Sequence, residues 1–459
     1  MEERIRARIR RADGRRRVNS KECMVKIFCS VGEPSGDLHG ANLIRALRQR
    51  APQLECRGFG GPRMAAAGCE LLADLTAYAV MGLTPALLHL PQFWRFYRQA
   101  RCELRRQRPD AVVLIDYPGF NWWIARAARA EGIPVFYYGV PQMWAWASWR
   151  VRKMRRLVDH ALCKLPFEVD WFRERGCQAT YVGHPYFDQL AEQAWDRQFI
   201  RRWRDRGGPL VLILPGSRMQ EVTRNLPWFL NTASRIRKRM PSARFAVASF
   251  NDRQAHVARQ LVAASELPAE ILVGRTGELI QASRCCLACS GSVSLELLYF
   301  TKPSLIMYRT SRLALSLARR LFLRVRYITL VNLLGAAHPF LSRGERYDPM
   351  AAQAEAVPLP EYLTSTDPAF AMAERVVGWL QDESGYAARV ARLDELKACY
   401  ARTGASGTAA DYVVRALQTP ASLSARGEQE GAHPGNAVPS RPGSPESLPD
   451  HPPKNPSRA

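Results

Sequence analysis

Long uncharged apolar runs are missing from this chain. No stretch reaches the roughly 18 residues that a membrane-spanning helix needs. The apolar segment Leu313 to Phe322 is short and carries Arg319 and Arg320. The first 23 residues are Arg-rich and have no apolar centre, so they match neither a secretory signal nor a folded element, and Met24 is an alternative start of translation. Cysteine is present but unorganised. Of 11 Cys, only Cys285, Cys286 and Cys289 cluster, and no second pair sits at zinc spacing. That excludes a zinc module and a disulfide framework, fits free thiols in a reducing cytoplasm, and makes the cluster small apolar residues of a buried strand. Tandem repeats of solenoid period are absent too. Acidic residues are outnumbered: 42 Asp and Glu against 66 Lys and Arg give a net charge of +24. Such an excess points to an anionic partner (a membrane surface, a phosphorylated substrate or nucleic acid) or simply to Arg-rich solvated faces.

What is present is a chain of 459 residues, 47% hydrophobic, enough for two cored domains plus extras. Val25–Ser30 reads as a strand, Val31–Asp37 as a turn, and Leu38–Gln49 as a helix, which together open a βαβ unit. The alternation continues with a helix at Phe93–Gln107 and a buried strand at Ala111–Ile115. A helix near Trp122–Ala130 follows, then strands at Pro134–Tyr138 and Tyr181–Val182. A second series starts after the Arg-rich stretch near Arg201–Gly208. Its strands are Leu210–Leu214, Arg244–Ala248, Ile271–Val273, Cys286–Ala288 and Ser304–Met307. Continuous apolar strands alternating with helices predict parallel sheets covered on both faces, and two such halves imply a cleft with ligands at the strands' carboxyl ends. The expected organisation is a basic arm at 1–23, a Rossmann-like half at 24–200, a second at 201–366, helices at 367–418, and a Pro, Gly and Ser-rich tail at 419–459 that buries too little surface to fold.

Five segments carry candidate chemistry. In Gly32-Glu33-Pro34-Ser35-Gly36-Asp37 the glycines permit a tight turn, and the helix start suits an anion or a sugar hydroxyl. Ser35 and Asp37 either bind ligand there or Asp37 caps the helix. Gly58-Phe59-Gly60-Gly61-Pro62 reads as a second glycine-rich turn. Asp116 follows the strand Ala111–Ile115, where a carboxylate serves as general base or fixes the turn before Pro118. In Pro215-Gly216-Ser217-Arg218, backbone N–H groups and a permanent cation suit a diphosphate, unless Arg218 merely pairs with Glu221. Ser290-Gly291-Ser292 lets phosphate approach the backbone, and Glu296 beyond it suits the two hydroxyls of a ribose, or is an incidental helix residue.

Basic and aromatic residues interleave between Val80 and Arg108, with Leu83, Leu87, Leu88, Leu90, Phe93, Trp94, Phe96 and Tyr97 beside six arginines. This suits a helix lying on anionic lipid, or a core-facing stripe with a solvated back. Further patches are Trp144, Trp146 and Trp149 ahead of Arg150–Arg156, and Arg312–Arg326. No recognised nucleic-acid module accompanies them, so nucleic acid is not an expected partner.

Taken in order, the segments resemble a known family. Gly32–Asp37, Gly60-Gly61-Pro62-Arg63-Met64, Ile115-Asp116-Tyr117-Pro118-Gly119-Phe120-Asn121, Trp144-Ala145-Trp146, Leu165-Pro166-Phe167-Glu168, Val182-Gly183-His184-Pro185, Leu214–Arg218 and Ser290–Ser292 together resemble lipid-A-disaccharide synthase, over about Met24 to Leu417. The resemblance implies an α/β fold of GT-B type, with two Rossmann-like doubly wound domains facing a cleft. It implies an inverting glycosyltransferase moving 2,3-diacylglucosamine from UDP-2,3-diacylglucosamine to 2,3-diacylglucosamine 1-phosphate (lipid X), with no cofactor and no metal. Asp116 would be the base and Arg218 the essential arginine. Glu33, Ser35, Gly36, Asp37, Gly61, Gly216, Ser217, Ser290, Gly291, Ser292, Glu296 and Asn332 would contact nucleotide or substrate. It further implies a cytoplasmic enzyme, peripheral on the inner membrane, and a homodimer exchanging C-terminal segments.

Two positions depart from the family pattern. Gly119 stands where many members have Asp, and His338-Pro339-Phe340-Leu341-Ser342 replaces a segment often reading Pro-Glu-Leu-Leu-Gln. Two other classes fit parts of the same features: a different UDP-sugar enzyme of this architecture, such as a 2-epimerase, and a non-enzymatic binder of anionic lipid.

Overall fold

The structure is a computed structural model and describes residues 24–78, 90–317, 324–341, 347–351, 354 and 356–418. The expectations for the basic arm, for the tail, and for Leu83, Leu87, Leu88, Arg319, Arg320 and Ser342 fall outside those residues. Thirteen strands are described: β1 Lys26–Val31, β2 Glu55–Gly60, β3 Cys69–Asp74, β4 Ala111–Ile115, β5 Val135–Tyr138, β6 His160–Cys163, β7 Ala179–Tyr181, β8 Leu210–Leu214, β9 Arg244–Ser249, β10 Ala269–Val273, β11 Cys285–Cys289, β12 Ser304–Arg309 and β13 Glu361–Thr364. They form two sheets, in the orders β3-β2-β1-β4-β5-β6-β7 and β10-β9-β8-β11-β12-β13. The registered strand pairs are parallel. Every residue of β4, β8 and β11 is buried, as helix-covered parallel strands require. Cys285, Cys286 and Cys289 are therefore buried residues of β11. Among the described residues no helix is long and apolar enough to cross a membrane.

The described residues divide into two compact units, one of residues 24–135 and 410–418, the other within Phe136–Ala409. In the first unit, β1 lies between β2 and β4. Helices Pro34–Arg50, Leu90–Gln107 and Pro118–Ala130 flank them. Helix Ala405–Gln418, the last among the described residues, contributes Asp411 to this unit, and its carboxylate accepts from Arg50 Nη2 at 2.9 Å. The segment read as a glycine turn at Gly58–Pro62 is a strand for its first half. Gly58 is in β2 with φ +148°, and a Cβ there would stand 1.9 Å from the Cys29 carbonyl oxygen of β1. The glycine serves close strand packing, and the turn itself begins at Gly61.

In the second unit, β8 lies between β9 and β11. Helices Met219–Arg239 and Ala369–Gln381 bury Leu226, Phe229, Ala233, Met372, Val376 and Trp379 in one core with Val211, Ile213, Phe245 and Leu287. Both units thus hold a point where the winding reverses direction, between β1 and β4 and between β8 and β11. Ligands of open α/β sheets bind at the carboxyl ends of strands there.

Candidate functional site

At the first reversal, β4 ends in two consecutive left-handed residues, Asp116 at φ +45° and Tyr117 at φ +44°. Each such non-glycine residue costs about 1–3 kcal/mol, so the turn persists only because its surroundings hold it. Asn121 does the holding. It is fully buried, and its Nδ2 donates to the carbonyl oxygens of Asp116 at 2.9 Å, Ser30 at 3.2 Å and Ile115 at 3.3 Å. Its Oδ1 accepts from Ser30 Oγ at 2.6 Å. One amide thereby ties the end of β1 to the end of β4. Gly32 completes the turn, because a Cβ there would stand 2.2 Å from the Tyr117 ring. Burial, and then the charge of Glu33, raise the Tyr117 hydroxyl above its ordinary value.

The remaining predicted residues of this unit divide by role. Glu33 and Ser35 are exposed at the start of helix Pro34–Arg50, and Glu33 makes no side-chain cap to it. Gly36 packs on β1, where a Cβ would stand 2.9 Å from Val31. Asp37 is buried and accepts from the backbone N–H groups of Gly61 at 2.8 Å, Arg63 at 3.0 Å and Met64 at 3.1 Å. It caps a helix, but the following one, Pro62–Ala66, and so joins the two glycine segments.

At the second reversal, Gly216, Ser217, Arg218, Ser290, Gly291, Ser292 and Glu296 line one cavity of about 470 Å³. Gly216 has φ +132°, and a Cβ on it would meet Glu221 at 2.5 Å. Glu221 accepts from the N–H groups of Ser217 at 3.0 Å and Arg218 at 3.1 Å, and from Arg218 Nη1 at 2.8 Å. The pairing weighed from sequence is therefore present, and it holds the guanidinium at the cavity. Two buried amides brace the loop from behind: Asn225 Nδ2 donates to the Pro215 carbonyl at 3.1 Å and Gln254 Nε2 to that of Ser217 at 2.6 Å.

Glu296 sits in the first turn of helix Val293–Tyr299 and is 8% exposed. Burial pushes its carboxyl up to about 7, against the hydrogen bond from Tyr186 and with the nearby Glu278 adding to the rise. Sequence reasoning missed Tyr186, Glu278, Asn225 and Gln254. Asn332 is not brought to this cavity. It is 1% exposed, Nδ2 donates to the Leu359 carbonyl at 2.7 Å and to Glu361 at 3.1 Å, and Oδ1 accepts from Leu359 N at 3.0 Å. It borders a separate space of about 280 Å³ with Tyr327 and Arg392.

One unit thus holds a strained carboxylate turn, and the other a cavity of about 470 Å³ that bears an arginine. The lipid-A-disaccharide synthetase family model matches residues 27–342. The chain belongs to that family. It is 37% identical over 325 residues to the lipid-A-disaccharide synthase of Myxococcus xanthus, covering 70% of this chain and 84% of the relative. Its fold is that of GT-B glycosyltransferases and related epimerases. UDP-GlcNAc 2-epimerase from Neisseria meningitidis, solved with UDP-GlcNAc, aligns with a TM-score of 0.53 at 13% identity, over 86% of this chain and 100% of that one. The calicheamicin glycosyltransferase CalG4 aligns at 0.50 and 14%, over 87% and 99%. Family membership makes the chain a glycosyltransferase of lipid A biosynthesis.

Proposed function

We propose that the chain transfers 2,3-diacylglucosamine from UDP-2,3-diacylglucosamine to the 6-hydroxyl of 2,3-diacylglucosamine 1-phosphate (lipid X), giving the β-1,6-linked disaccharide 1-phosphate and UDP. The observation that carries this is the convergence of Gly216–Arg218, Ser290–Ser292 and Glu296 on one cavity at the carboxyl ends of β8 and β11. Asp116 takes the proton of the acceptor hydroxyl as its oxygen attacks the anomeric carbon. The bond from that carbon to the diphosphate oxygen breaks, the electron pair leaves with UDP, and the configuration inverts. Arg218 and the loop N–H groups stabilise the charge growing on the leaving diphosphate. Glu296 receives the ribose hydroxyls. Residues 24–200 form the acceptor and membrane domain, residues 201–366 the UDP-sugar domain, and residues 367–418 the helices that follow.

Both substrates carry acyl chains, so the enzyme works as a peripheral protein on the cytoplasmic face of the inner membrane. Trp94 and Trp123 support this: they are 53% and 45% exposed and join through Tyr97, with ring centroids 5.4 and 5.6 Å apart. Arg101 and Arg126 lie over Tyr97 and Trp123 at 5.8 and 5.7 Å. Aromatic rings flanked by cations fit an anionic interface. A homodimer that exchanges C-terminal segments belongs to the same proposal.

The test is UDP release from UDP-2,3-diacylglucosamine with and without lipid X, beside Asp116→Asn and Arg218→Ala. Acceptor-dependent release lost in both variants is expected. Release that ignores the acceptor would favour a hydrolase or epimerase, and no release from folded protein would reject the substrate.

A further inference from the structure

Glu296 is a buried carboxylate with one oxygen engaged and one open. Its Oε2 accepts from Tyr186 Oη at 3.3 Å, and among the described residues no hydrogen bond reaches Oε1. Gly277 lies beside Oε1, and a Cβ there would stand 3.1 Å from it. Both Tyr186 and Gly277 line the same cavity as Glu296. Tyr186 is itself firmly placed. It is in the first turn of helix Pro185–Glu192, and its N–H donates to Nδ1 of the capping His184 at 3.2 Å. The next residue, Phe187, stacks on Tyr299 of the helix that carries Glu296, at 6.3 Å.

A carboxylate oxygen has two acceptor positions, so Oε2 still accepts one hydroxyl beside Tyr186 while Oε1 accepts another. Two hydroxyls on adjacent carbons match that spacing, whereas a 2′-deoxyribose leaves one buried acceptor without a donor. We propose that Tyr186 is a positioning residue that fixes Glu296 to receive both hydroxyls of a ribose, so that the cavity selects ribonucleotides over 2′-deoxyribonucleotides. This rests on the cavity being the nucleotide site.

The experiment is calorimetric titration of the full chain with UDP and with 2′-deoxy-UDP, for wild type, Tyr186→Phe and Glu296→Gln. At pH 8, where Glu296 is mostly ionised, wild type is expected to prefer UDP by about tenfold or more, the effect of one hydroxyl on a charged acceptor. Tyr186→Phe is expected to bind 2′-deoxy-UDP as wild type does and to lose most of the preference for UDP. A Tyr186→Phe protein that weakens for both nucleotides equally, or keeps the full preference, overturns the positioning role. If Glu296→Gln abolishes the preference while Tyr186→Phe keeps it, this inference alone fails. If Glu296→Gln binds both nucleotides as wild type does, the nucleotide assignment of the cavity fails with it.

Discussion

The side-chain amide of Asn121 donates to the carbonyl oxygen of Asp116 at 2.9 Å, and so holds the residue proposed as base by its backbone rather than its carboxylate. Removing that amide releases two left-handed residues whose strain favours relaxation. Asn121→Ala is expected to lower kcat about tenfold or more, since small misplacements of a reacting group are costly. UDP affinity should stay unchanged, because the nucleotide cavity is built from other residues. Asn121→Asp should be worse than Ala, as its carboxylate would face three carbonyl oxygens. Initial rates beside UDP titrations decide this. Equal loss in kcat and UDP affinity would mark general unfolding instead.

The legible parts of the fold were those where burial alone dictates composition. Ala111–Ile115 and Leu210–Leu214 match their strands end to end because both faces of each are covered. β2 reads as a turn in sequence because its glycines answer to neighbouring strands, and its Arg57 is paired with Glu70 and with Glu103 across the fold. The cavity loops were legible from glycine, serine and arginine at strand ends. Tyr186 was not, since it meets Glu296 across 110 residues of chain, although it directly follows the segment Val182-Gly183-His184-Pro185. Neither was the strain at Asp116, which depends on an amide arriving from the next helix. For Asn332, the family resemblance implied a nucleotide contact, while every polar atom of its side chain is bound to Leu359 and Glu361.

Gly119 is exposed in the first turn of helix Pro118–Ala130, and a Cβ there meets nothing within 4 Å. Asp at this position therefore fits, replaces a flexible glycine in a helix, and sets a negative charge at the helix start. Gly119→Asp should stabilise the chain by about 1 kcal/mol in urea unfolding. A destabilised variant would show that the turn at Asp116 and Tyr117 tolerates no second carboxylate.

Asp188 accepts from three successive backbone N–H groups, Gly404 at 2.6 Å, Ala405 at 3.2 Å and Ser406 at 3.0 Å. It is the cap of helix Ala405–Gln418, supplied from more than 200 residues away. Asp188→Ala leaves these donors without acceptors and should cost about 2 kcal/mol. Limited proteolysis should then cut between Tyr400 and Ser406 faster than in wild type. Unchanged cleavage would mean the helix is held by its apolar face alone.

Glu168 gives the stability of the chain a pH dependence of known sign. It is buried, and accepts from Trp144 Nε1 at 3.0 Å and from the N–H groups of Lys164 and Leu165, each at 3.0 Å. Burial outweighs these donors and pushes the carboxyl up to about 7. The folded state therefore holds this proton more tightly than the unfolded chain, whose glutamates titrate near their usual value. Stability from this group is fully present at pH 4, falls as pH rises from there, and levels off above pH 7, a change of about 3 kcal/mol. Glu168→Gln cannot ionise, so the stability gap between wild type and variant should favour wild type more at pH 5 than at pH 8. Denaturant unfolding at the two pH values measures that gap. If it is the same at both, the three donors keep the carboxylate ionised throughout, and burial does not govern this site.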